Sequence, residues 1–147
     1  MRYDYAGSGN APSSGEIEFE FSGGTAFSNI ALITINDTNA ESVNVYDWLA
    51  SFDDVVVNPA GLLTIQNVDN SSDEIATFKI TGTSDETDWW EYDVEPLSGN
   101  ITTSTSNFNA VITFAASGSS GTSGSSGSAG SSGTSGSSGT SGSSGTS

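Results

Sequence analysis

Residues 111–124 read VITFAASGSSGTSG, a short apolar alternation that runs without a break into glycine at every third position. Glycine recurs in phase at Gly118, Gly121, Gly124, Gly127, Gly130, Gly133, Gly136, Gly139, Gly142 and Gly145, in triplets otherwise built only from Ser, Thr and one Ala. In a collagen triple helix only glycine fits at the crowded axis of three polyproline-II chains, so these positions are the expected rod-axis residues. A flexible Gly/Ser linker needs glycine content but no glycine phase. The period therefore favours an extended, collagen-like Gly-X-Y rod over residues 117–147, expected to continue past Ser147. No triplet contains proline. Without the ring no backbone angle is preset, and the unfolded chain keeps its full entropy, so the rod needs another element to hold three chains together.

Upstream of the repeat the period changes. Glu16–Phe21 alternates Ile17, Phe19 and Phe21 against Glu16, Glu18 and Glu20, the pattern of a strand with one wet face. Ile30–Asn36 is a β-branched run closed by the turn residues Asn36, Asp37, Thr38 and Asn39. Val45, Trp48, Leu49 and Phe52 fall at helical spacing behind Asn44, which is placed to cap the first turn. A strand over Val55–Asn58 is expected to end that helix. Leu62–Val68, Ile75–Thr81, Trp89–Val94 and Val111–Phe114 alternate well enough to be four more strands. The expected fold is all-β, a small β-barrel or β-sandwich head with one short α-helix, occupying residues 16–116 and followed by the rod. Residues 1–15, Gly/Ser/Pro-rich around Tyr3 and Tyr5, read as an N-terminal arm, either flexible or docking on a neighbouring subunit.

Charge divides the chain at the same boundary. Every charged residue lies between Arg2 and Glu95, and none follows. Eighteen acidic residues against two basic ones give a formal net charge of −16, which repels phosphate backbones and anionic lipid surfaces. Nucleic acid and membrane are therefore not expected as partners. Cysteine and histidine are both absent, which removes disulfides, thiolate metal sites and the commonest general base. No segment approaches the roughly 18 apolar residues of a spanning helix, and the start MRYDY lacks the apolar core of a secretory signal. An acidic, Ser/Thr-rich surface without an export signal suits a particle released by lysis.

The order of segments ALITIN, YDWLASF, ATFKI, WWEYDVEPLSG and VITFAASG, running into Gly-X-Y, resembles the head domain of collagen-like fibre proteins of tailed phages, especially those of marine cyanobacteria. The likeness covers residues 16 to 147. It implies a virion structural protein, a tail fibre or similar appendage, assembled as a homotrimer and joined to other virion proteins through its arm or head. It implies no enzyme, no cofactor and no metal. A collagen-like bacterial surface adhesin and a carbohydrate-binding module on a linker remain alternatives.

Carboxylates are the only catalytic groups on offer, and Glu16, Glu18 and Glu20, like Asp85, Glu86 and Asp88, fall on a wet face or in a turn, where a raised pKa is not expected. Asp69 to Glu74 and Asp53–Asp54 offer oxygen ligands but lack the acid spacing and central glycine of an EF-type calcium loop. Trp89, Trp90 and Tyr92 point to opposite sides of one strand, so one indole is expected in the core and the other at a subunit contact or a sugar platform. Together with Tyr3 and Tyr5 they form the expected interface set.

Overall fold

The structure is a computed structural model that describes residues 1–9, 11–53, 60–69, 74–101 and 108–118. Among the described residues seven strands close into a barrel, with a 3-10 turn at Phe27–Asn29 and one short helix: β1 (Arg2–Tyr5), β2 (Glu16–Phe21), β3 (Ile30–Asn36), α1 (Tyr46–Ala50), β4 (Gly61–Asn67), β5 (Ile75–Asp85), β6 (Trp89–Gly99) and β7 (Phe108–Ala116). The order around the barrel is β1-β2-β3-β6-β5-β4-β7. All neighbours run antiparallel except β1 and β2. The barrel resolves the expected choice between barrel and sandwich. The expected strand at Val55–Asn58 and every rod-axis glycine after Gly118 lie outside the described residues.

β2 and β3 form where their alternation requires. Ile17 and Phe19 point into the barrel opposite Ile35 and Ile33, while Glu16, Glu18 and Glu20 turn outward. β5 and β6 are longer than their apolar cores suggest: Gly82–Asp85 pairs with Asp93–Trp90, after register shifts in β5. The polar run TGTSD has no hydrophobic period, yet its backbone is held in the cross-strand ladder with β6.

The N-terminal arm is corrected. Arg2–Tyr5 is a core strand, pairing Tyr5 with Ile17 on β2 and with Phe108 on β7. Period-2 geometry sends Tyr3 and Tyr5 to the same side, and both are buried in the barrel of their own chain rather than offered to a neighbour. Gly7 and Gly15 are at positive φ (116° and 86°), and residues 11–15 lie alongside β2. Glu18 accepts the Ala11 N–H at 3.2 Å and Glu16 the Ser13 N–H at 3.0 Å. Asn36 donates to the Pro12 carbonyl at 3.0 Å. The outward carboxylates of β2 thus hold this return segment in place.

A barrel of this strand number has an interior that side chains fill completely. Here rings do most of the filling. Tyr5 packs between Phe19 and Phe108 with centroids 4.6 and 4.7 Å away. At the other end α1 acts as a plug. Val45, not the expected Asn44, is the N-cap and makes no side-chain cap bond; Asn44 accepts the Tyr46 N–H at 3.2 Å in the turn just before it, and Leu49 and Phe52 turn inward. Phe52 stacks on Phe114 at 3.9 Å and contacts Trp48 and Tyr92.

Phe52 is fully buried at the junction of helix and barrel, so Phe52→Ala should cost about 3–5 kcal/mol of unfolding free energy. Chemical denaturation followed by tryptophan fluorescence measures this; a loss below about 1 kcal/mol would show that the plug contributes little to stability.

Candidate functional site

Four of the five aromatic residues expected at an interface are interior. Tyr3, Tyr5, Trp90 and Tyr92 are at most 5% exposed in the single chain. Tyr3 donates its hydroxyl to the Asn36 carbonyl at 2.9 Å, and Tyr92 donates to the Leu49 carbonyl at 3.2 Å, tying β3 and α1 to the core. Burial raises the pKa of both, most strongly for Tyr92, and pushes Tyr5 up to about 12. These rings stabilise the barrel. Trp89 is the exception, half-buried on the outer side, with its indole N–H 3.5 Å from Glu91. The expected division of the Trp pair into one inward and one outward indole holds, while the interface role does not extend to Tyr3, Tyr5, Trp90 or Tyr92.

Trp89 borders a concave surface of about 350 Å³ whose wall also includes Pro12, Asn36, Asp37, Asn44 and Asp88. Four segments build it: the return segment before β2, the turn after β3, the approach to α1 at Asn44 and the turn before β6. Pairing of β3 with β6 sets Asn36 opposite Trp89, and the Asp37 N–H donates to the Asp88 carbonyl at 2.9 Å. Asp37 Oδ1 is buried and has no hydrogen-bond donor among the described residues. Its pKa is raised, first by burial and then by the negative charges of Asp85 and Asp88. Tyr46 donates to Asp85 at 2.7 Å across the same rim. The turn Asn36–Asn39 gave no sign of this, because the carboxylates that act on Asp37 come from residues 85 and 88, adjacent only once β3 and β6 pair.

The surface can accept hydrogen bonds from hydroxyl or amide groups beside an indole. Among the described residues no group of three or more acidic side chains is arranged to hold a metal ion. Asp69 is used structurally: it accepts the Asn109 backbone and side-chain N–H groups at 2.7 and 2.6 Å, which lowers its pKa.

The chain leaves the barrel at the end plugged by α1. Ala116 lies opposite Gly61, and the Ser117 N–H donates to the Ala60 carbonyl at 3.0 Å, the last bond to the barrel before Gly118. A Cβ added at Gly118 would meet nothing within 4 Å, so packing against the barrel does not require glycine there. Comparison with known proteins finds no matching family model, no matching curated protein and no matching solved structure.

A raised carboxyl pKa means that the folded state disfavours the ionised form, so the stability linked to Asp37 is present below its ordinary value of 3.8 and lost as pH rises through the folded value. Asp37→Asn should therefore unfold at a higher temperature than the parent at neutral pH, with the gain shrinking as pH falls through the raised folded value and gone below 3.8. Calorimetric scans across that range check it; a constant difference at every pH would exclude the charge as the cause.

Proposed function

We propose that this chain is a structural subunit of an extended fibre, without catalytic activity, in which the barrel head assembles three copies and starts a collagen-type rod. The observation that carries this reading is the unbroken glycine phase from Gly118 to Gly145, beginning two residues after β7. A proline-free rod has no preset backbone angles, so its first turn is costly and must be offset by contacts made elsewhere. A head that holds three chain exits close together supplies them, by raising the local concentration of the rod strands. The setting we propose is a phage virion appendage, a tail fibre or similar, with further virion proteins meeting the head. The strong negative charge fits a particle assembled in salt, where screening shortens repulsion to a few ångströms.

Circular dichroism of the full chain tests the rod. A polyproline-II signal that melts cooperatively is expected, and Gly127→Ala, which puts a Cβ on the crowded axis, should lower that melting temperature while leaving the head intact. A signal that declines linearly with temperature and ignores Gly127→Ala would reduce residues 118–147 to a linker.

A second reading, a carbohydrate-binding module, is favoured by Trp89 beside Asn36, Asp37, Asn44 and Asp88. Binding on a glycan array that disappears in Trp89→Ala would support it. An empty array at high protein concentration would count against it.

A further inference from the structure

Three adjacent strands, β5, β4 and β7, turn outward a surface unlike the rest of the head. Neither β4 nor β7 contains an ionisable side chain. β5 contains two, Lys79, which is bound to Glu95 at 2.7 Å, and Asp85 at its far end. Across the middle of the face Thr113 lies opposite Thr64 and Thr64 opposite Thr77, with the last two hydroxyls 3.4 Å apart. Large apolar side chains flank this threonine row: Leu62 and Ile75 are 41% and 45% exposed, and Leu97 on the edge of β6 is 54% exposed. The neighbouring strands are different in kind: β6, beside β5, carries Glu91 and Asp93 outward, and β2 carries Glu16, Glu18 and Glu20, the first two bonded to the return segment.

We infer that the β5-β4-β7 face is the contact surface between copies of this chain, and that its occupants are the two other heads of a trimer. The inference rests on the fibre-subunit reading above and names the partner surface that reading requires. Charge is one argument. On a molecule of net charge −16, contacts through β2 and β6 set carboxylates against carboxylates, and like-charge juxtaposition at an interface costs several kcal/mol. The β5-β4-β7 face brings no such opposition, and exposed apolar side chains beside hydroxyl groups that can hydrogen-bond across a contact have the composition of a protein interface.

The path of the chain is the second argument. A triple helix holds its three strands against one axis. The three exits at Ser117 must therefore converge, and each exit lies at the end of β7, where Ala116 pairs with Gly61 of β4. Strands that end at the axis bring their own outward face towards it. The neutral surface and the exit are on the same two strands, so one packing satisfies both requirements.

The mass of the full chain in solution, measured for the parent and for L62E/T64E, tests the inference, with tryptophan fluorescence reporting whether the barrel is folded. The expected result is a three-chain mass for the parent and a one-chain mass for the folded variant. Because the chain contains no cysteine, single-cysteine variants give an independent measure that does not depend on that variant folding. Leu62→Cys should be alkylated more slowly than Asp93→Cys in the assembled chain, although both positions are exposed on the single barrel. A parent trimer whose mass survives L62E/T64E, or equal alkylation at the two positions, overturns the proposed surface and leaves the fibre reading intact. A monomeric parent overturns the fibre reading and this surface with it.

Discussion

The pairing of Arg2–Tyr5 between β2 and β7 is the constraint on which the rest of the structure depends. Without it β2 and β7 would be free edges carrying unpaired N–H and C=O groups. With it the sheet closes, and Tyr3 and Tyr5 enter a core that also takes Phe19, Phe78, Tyr92 and Phe108. The same strand fixes β7, because four consecutive residues from Arg2 to Tyr5 are in register with Val111 to Phe108. The position at which the chain leaves the barrel for the glycine repeat is therefore set by its own N-terminus. Return of residues 11–15 along β2, held by Glu16, Glu18 and Asn36, allows a parallel neighbour so close in sequence.

The sequence made some of these elements legible and hid others for physical reasons. Glu16–Phe21 and Ile30–Asn36 are found at the expected boundaries, because alternation between a filled interior and a wet face leaves little freedom in register. The spacing of Val45, Trp48, Leu49 and Phe52 predicts a helix, which is found there but shorter, Tyr46–Ala50, with Val45 and Phe52 just outside it. β1 escaped because four residues, two of them tyrosine, carry too little pattern to stand out from a Gly/Ser/Pro-rich context. The tails of β5 and β6 escaped because backbone pairing, not side-chain burial, extends them. At the surface, the outward Trp89 was legible from parity. Asp37 was not, since its burial and its acidic neighbours arise from strand pairing across some fifty residues.

Charge and phase act on different halves of the chain and bear on the same assembly problem. On the fibre reading, the glycine repeat sets a partner number of three without supplying much stability, because it lacks proline and side chains that bury apolar surface. The head has a packed core, acidic strands β2 and β6, and a β5-β4-β7 face whose central charge, Lys79, is paired with Glu95, which limits how copies can approach. On the fibre reading, the rod needs three chains held together and this face offers a way to hold them.

Small-angle X-ray scattering from the full chain at high salt tests this account most directly, because it reports mass and shape together. The account predicts a three-chain particle with a compact head and a thin rod about 90 Å long, from thirty residues at about 3.1 Å each. A one-chain mass with the profile of a barrel trailing a random coil would contradict it.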